Sequence, residues 1–261
     1  FIAEQQMVAA AIGLQVRDWK PFASSFGAFL SRAYDFIRMA PISDADLKLC
    51  GSHVGVSIGP DGPSQMALED IASSRAELGS VVLYPCDANQ TDRVIRYVAA
   101  ARGNYFIGMG RNRWPVMYRK EGEPYFAGDY AFEYGKMDLM ADGTDGAIIT
   151  YGGLVSKALA VRERLAGKGK SFAVVNMPCV DEADEAMMAK LAALPSVVTY
   201  EDHNVKTGIV PVITASLLKL GFTGAFLSFG ATSYGASGET DEVLASQGLD
   251  IETVTEKIGN R

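Results

Sequence analysis

Hydrophobic and polar positions follow two spacings along this chain, and the alternation between them predicts a protein of strands and helices in turn. Residues 4–18 read as a helix, rich in Ala, Met, Val, Ile and Leu, with Pro21 expected to end it. A second helical pattern runs from Gly27 to Met39, with Phe29, Leu30, Ala33, Phe36 and Ile37 on one stripe and Pro41 closing it. Short apolar runs at Leu47–Cys50, Val81–Tyr84 and Tyr105–Ile107 read as strands, and Met66–Ser74 and Thr91–Ala101 between them as helices.

From residue 146 the alternation is cleaner. Strands are expected at Gly146–Tyr151, Phe172–Val175, Val197–Tyr200 and Ala225–Phe229, and helices at Val155–Ala166, Asp181–Ala193, Ile209–Leu220 and Thr240–Gln247. The polar, turn-rich stretch Arg119–Tyr130, centred on Lys120-Glu-Gly-Glu-Pro124, reads as a linker. The expected fold class is therefore α/β, with two three-layer domains at 1–118 and 131–261 joined by 119–130.

Composition narrows the partners. A net charge of −7 over 261 residues argues against a surface for nucleic acid or anionic lipid, so a phosphate-bearing ligand must be met by a few placed cations. No apolar run approaches the roughly 20 residues of a membrane span. Three scattered cysteines, Cys50, Cys86 and Cys179, suggest neither a disulfide framework nor a zinc site, and a reducing cytoplasm is the expected setting. An opening at Phe1-Ile-Ala-Glu4, already within an amphipathic pattern, reads as a chain whose beginning is missing.

Candidate chemistry concentrates in Gly51-Ser-His-Val-Gly-Val-Ser-Ile-Gly-Pro-Asp-Gly-Pro-Ser-Gln-Met-Ala-Leu-Glu-Asp70. This stretch is too glycine-rich for a helix and too polar for a buried strand, and it gathers His53, Asp61, Ser64 and Gln65 in one loop. Composition alone leaves two readings open: a binding loop, or a connection whose glycines serve turns and whose Ser64 caps the next helix. The string resembles the substrate and cofactor loop of transketolases. Ile2-Ala-Glu-Gln-Gln-Met-Val8 resembles that family's glutamate segment, and Ser24-Ser-Phe-Gly-Ala-Phe-Leu-Ser-Arg-Ala-Tyr-Asp-Phe-Ile-Arg-Met-Ala40 its aromatic segment.

The resemblance implies a thiamine-diphosphate pyrimidine-binding domain, lacking its start, followed by a transketolase C-terminal domain. It implies that Glu4 hydrogen-bonds the aminopyrimidine and activates the cofactor. Phe26, Phe29 and Gln65 would line the pyrimidine site; His53, with a catalytic role, Asp61 and Ser64 would meet the substrate. Arg111, and less directly Arg32, would grip its phosphate, with Arg113 an adjacent alternative to Arg111.

The family's Mg²⁺-diphosphate motif is absent, and Asp142-Gly-Thr-Asp-Gly146 reads as a turn rather than a substitute. The metal ligands are therefore expected from a pyrophosphate-domain partner, in an assembly that also pairs two copies of this chain. The implied function is ketol transfer between sugar phosphates, as the C-terminal subunit or half of a transketolase. The alternatives are 1-deoxyxylulose-phosphate synthase, a 2-oxo acid dehydrogenase β subunit, both disfavoured by Ser52-His53, and a non-catalytic regulatory subunit. The segment Tyr200-Glu-Asp-His-Asn204 reads as a strand-to-helix turn, which leaves His203 outside the expected site.

Overall fold

The computed structural model describes residues 1–119 and 122–260; Lys120 and Glu121 of the expected linker, and Arg261, lie outside them. Among the described residues the strands form two sheets. The first has the order β1 (Phe22–Phe26), β2 (Lys48–Ser52), β4 (Asn104–Gly108), β3 (Ser80–Leu83), all parallel. The second has the order β5 (Asp138–Ala141), β7 (Phe172–Asn176), β6 (Gly146–Thr150), β8 (Ser196–Asn204), β9 (Ala225–Ala231), parallel except for β5. Helices α1 (Glu4–Gln15), α2 (Tyr34–Ile42), α3 (Asp70–Ala76) and α4 (Ala88–Ala100) belong to the first sheet. The second carries α5 (Leu154–Ala166), α6 (Glu185–Leu191), α7 (Val210–Lys219), α8 (Thr240–Ser246) and α9 (Ile251–Gly259). Parallel strands need such crossovers, which is why the apolar runs alternate with helical stripes.

Several elements depart from the sequence reading. Strands β1 and β5 and helix α9 were not expected; β1 is an edge strand whose centre is Ser24-Ser25, too polar to register as an apolar run. Helix α1 stops at Gln15, and Pro41 lies inside α2 rather than ending it, in the last turn where its missing N–H costs only one bond. Residues 27–39 are not one helix: Gly27–Ala33 is a 3-10 helix preceding α2. The run at Met66 is extended and buried, with Gly55 N–H donating to Ala67 O at 2.8 Å, so α3 begins only at Asp70. Phe126, in the stretch read as polar linker, is fully buried against Met117 and Val155.

The two sheets meet at the carboxyl ends of their strands. Tyr84 N–H, just past β3, donates to Pro178 O at 2.8 Å, and Val180 N–H, beyond β7, donates to Val82 O at 3.1 Å. One apolar cluster runs continuously from Val8, Leu30 and Leu49 to Ile149, Val175 and Ile213.

The same junction contains a buried polar network. His203, 1% exposed near the end of β8, places Nδ1 2.9 Å from Asp202 Oδ1 and 3.0 Å from Tyr151 Oη. Its Nε2 lies 3.5 Å from Asp70 Oδ1 at the start of α3, an ion pair looser than a hydrogen bond. Tyr84 Oη donates to the other oxygen of Asp70. Glu201 Oε2 accepts from Tyr151 Oη and from Ile209 N–H, each at 2.9 Å. The segment Glu201–Asn204, expected as a turn, is thus strand, because its charges find partners across the junction.

Burial pulls the His203 pKa down, but Asp70 and Asp202 outweigh it and push it up to about 10, so the ring is an imidazolium. Burial pushes the Glu201 carboxyl up to about 7, against the opposing hydrogen bond from Ile209. Both folded values lie above the unfolded ones, about 6.5 for His and 4.3 for Glu. The His203 contribution is then complete below about pH 6.5 and lost as pH rises toward 10, and that of Glu201 is lost as pH rises through about 7. Unfolding midpoints in guanidinium should fall between about pH 7 and 10, with a shallower fall in His203→Gln; equal slopes in the two proteins would show an uncharged His203.

Candidate active site

In open parallel sheets, ligands bind beyond the carboxyl ends of the strands, and the residues singled out from the sequence emerge there. Phe26 ends β1, and its ring stacks with both Phe29 (centroids 5.2 Å apart, planes at 12°) and His53 (3.7 Å, 15°). His53 follows β2 in the left-handed region (φ 59°), an uncommon conformation for a residue with a side chain and one often found at functional turns. Its Nδ1 lies 3.1 Å from Ser52 Oγ and its Nε2 3.8 Å from Asp61 Oδ2.

Asp61 closes the 3-10 segment Val56–Asp61, and the same oxygen pairs with Arg111 Nε from the loop after β4. Burial lowers the His53 pKa below its ordinary value, Asp61 raises it less, and Arg111 lowers it further, which keeps the imidazole neutral near pH 7. Phe29, Phe26, His53, Asp61 and Arg111 therefore form one continuous chain of contacts. It begins on an apolar ring face and ends on a cation.

Glu4 opens α1, with its side chain 11% exposed. Its Oε2 is buried with no hydrogen-bond partner among the described residues and lies 3.8 Å from Arg32 Nε. Arg32 belongs to the 3-10 helix that also carries Phe29, so Glu4 and the aromatic stack share one support. Arg32 and Arg111 face different carboxylates, Glu4 and Asp61. Ser64 is exposed and donates to Gln65 Oε1; it does not cap α3, which begins six residues later at Asp70. Arg113 is exposed. The segment 142–146 leads into β6, and a side chain at Gly143 would strike the backbone of Phe172 and Ala173.

The sequence reading did not single out Ser57, Asn112 or Asp202 beneath this site, and it set His203 outside it. The available signal was Glu201-Asp-His203 continuing the apolar run Val197–Tyr200 without a turn residue between them. Among the described residues no cluster of three or more His, Cys, Asp or Glu is placed to hold a metal ion, and no helix is long and apolar enough to cross a membrane. The donor set does fit a flat, nitrogen-bearing ring: a buried carboxylate oxygen without a hydrogen-bond partner among the described residues, within 3.8 Å of Arg32 on the 3-10 helix that also carries Phe29 of the aromatic wall.

Residues 1–115 match the family model for the transketolase pyrimidine binding domain, and residues 135–254 match that for the transketolase C-terminal domain. Mouse transketolase is 34% identical over 264 residues, which cover 99% of this chain and 41% of that protein. The chain thus spans about two-fifths of that relative's length. A Methanocaldococcus jannaschii protein, provisionally named a transketolase C-terminal section, is 34% identical over 98% of this chain and 80% of its own. Among solved structures, a split gene transketolase described as an inactive beta4 tetramer superposes with a TM-score of 0.83 at 26% identity, covering 99% of this chain and 82% of that one. The transketolase of Leishmania mexicana, 22% identical, shares the fold with a TM-score of 0.74 over 97% of this chain and 36% of its own. By sequence along its whole length and by fold, the chain belongs to the transketolase family, a thiamine-diphosphate-dependent family.

Proposed function

We propose that this chain is the cofactor-activating part of a transketolase, moving a two-carbon ketol unit from a ketose phosphate to an aldose phosphate in the cytoplasm. The observation that carries the reading is the buried Glu4 oxygen, without a hydrogen-bond partner among the described residues and linked through Arg32 to the 3-10 helix of the stack Phe29, Phe26 and His53. When bound, thiamine diphosphate supplies a carbon nucleophile that can break a carbon–carbon bond beside a carbonyl.

The chain's own residues do the rest. Glu4 holds a proton at the ring nitrogen of the aminopyrimidine, with Gln65 as a further polar neighbour. Phe26 and Phe29 supply a flat apolar wall. Neutral His53 both donates and accepts, which suits sugar hydroxyls; Asp61 accepts from them, with Ser64 beside it. Arg111 commits Nε to Asp61 and remains 37% exposed at its side chain, so its terminal nitrogens meet the phosphate, with Arg32 as a secondary cation.

Mg²⁺ and the diphosphate fall to a pyrophosphate-domain partner, and two copies of this chain pair within the assembly. Support for dependence on a partner comes from the related split-gene chain, whose β4 tetramer is described as inactive.

The native complex should contain a second chain by mass analysis. Ketol transfer from xylulose 5-phosphate with thiamine diphosphate and Mg²⁺ should require that chain; a complete complex with neither transfer nor cofactor binding would favour a regulatory role. Glu4→Ala should lower kcat by about 10³-fold or more. Arg111→Ala should raise KM for phosphorylated sugars about tenfold or more, with kcat nearly unchanged, and an unmoved KM would remove Arg111 from the phosphate site.

A further inference from the structure

The C-terminal sheet reaches the loop bearing His53 and Asp61 at Ser57, midway between them. Ser57 Oγ donates to Asp202 Oδ2. Its carbonyl accepts from Asn112 Nδ2 and from Thr240 Oγ1, both at 3.0 Å, and Asn112 Nδ2 also donates to Thr240 Oγ1 at 2.7 Å. The hydroxyl and the carbonyl of one residue are therefore held by three separate segments: the end of β8, the start of α8 and the arginine loop. Asp202 is itself fixed by the His203 imidazolium, which makes its bond to Ser57 a charge-assisted one.

The backbone on either side follows the same surface. A side chain at Gly55 would collide with the Asp202 carboxylate, and a Cβ at Gly59 would stand 2.9 Å from Gly238 O and 3.0 Å from Thr240 N. Gly55, Gly59 and Gly62 all have positive φ (78°, 71° and 80°), so this segment loses much conformational freedom when it is fixed. Something must hold it, because Asp61 works only if it arrives between His53 and Arg111.

We propose that Asp202, Thr240 and Asn112 are positioning residues that act through Ser57 to fix the Val56–Asp61 segment, so that the C-terminal sheet sets the affinity of the site for its phosphorylated sugar. This rests on the ketol-transfer reading for the identity of the ligand. None of the three needs to touch substrate; Asp61 and His53 do so in the orientation they impose.

The test uses Ser57→Ala in the assembled enzyme. KM for xylulose 5-phosphate should rise about tenfold while kcat changes less than about twofold and thiamine diphosphate affinity holds; the unfolding midpoint falls, because the buried Asp202 carboxylate loses a partner. Amide hydrogen exchange over residues 53–62 should accelerate about tenfold, with the strand amides unchanged. Ser57→Thr, which keeps the hydroxyl, should restore both. In an Asp61→Ala background Ser57→Ala should add nothing to KM, because its effect passes through Asp61. A full additive KM effect in that background, or unchanged exchange over 53–62, would overturn the proposal. An assembled wild type that transfers no ketol unit would sink the activity reading alone. The exchange comparison would then decide the anchor by itself.

Discussion

An imidazolium held between two carboxylates inside the protein fixes how the two sheets meet. Asp202 comes from the same strand as His203, whereas Asp70 opens the helix that follows the loop bearing His53 and Asp61. Moving either sheet would separate charges that water does not reach, and an uncompensated buried charge is far more costly than a lost apolar contact of similar area. The surrounding apolar cluster supplies most of the burial, but such packing tolerates sliding; a charge triplet with named atoms does not. Through Asp202 the same network reaches Ser57, so the frame and the candidate site share one set of constraints.

The chain contains two histidines, and their surroundings give them opposite states. His53 is partly desolvated on an aromatic face with Arg111 close enough to oppose a second positive charge, which leaves it neutral. His203 is wholly buried between carboxylates and stays charged. A neutral ring can donate from one nitrogen and accept at the other, as the proposed sugar-phosphate substrate would require; a charged ring only donates, which suits a fixed structural tie. The division follows from position: one residue ends a strand that opens toward the site, and the other ends a strand that opens toward its neighbouring sheet.

How far the sequence could be read depended on whether a residue's partners were local. Strands β2, β4, β6 and β7 lie within a residue or two of their apolar runs, because a buried parallel strand is apolar on both faces. Of the four edge strands, β3 and β9 kept apolar runs and were expected, whereas β1 and β5 escaped notice because Ser24-Ser25 and Asp138 interrupt theirs. The members of the contact chain from Phe29 to Arg111 were named through the family resemblance; the fold brings them together because they lie at or beyond the ends of the adjacent strands β1, β2 and β4. The Glu201-Asp-His203 triplet was not legible: it read as a strand-to-helix turn, and the groups that it meets on burial, Asp70, Tyr84 and Tyr151, are remote in sequence. Arg32 shows the same limit from the other side, since nothing near it in sequence assigns it to Glu4 rather than to the Asp61 pair.

The pairing of Arg111 with Asp61 bears on selectivity in a chain whose net charge is −7. An unopposed arginine would attract any anion, and its local field would be the main source of affinity. With Asp61 already on Nε, a bare phosphate must approach a cation whose charge is half-answered, next to a carboxylate that repels it. A sugar phosphate of the proposed class escapes that penalty, because its hydroxyls donate to Asp61 while its phosphate takes the free edge of the guanidinium. Discrimination then comes from the repulsive half of the pair as much as from the attractive half. It holds only while Asp61 stays in place, which ties ligand choice to the segment that Ser57 anchors.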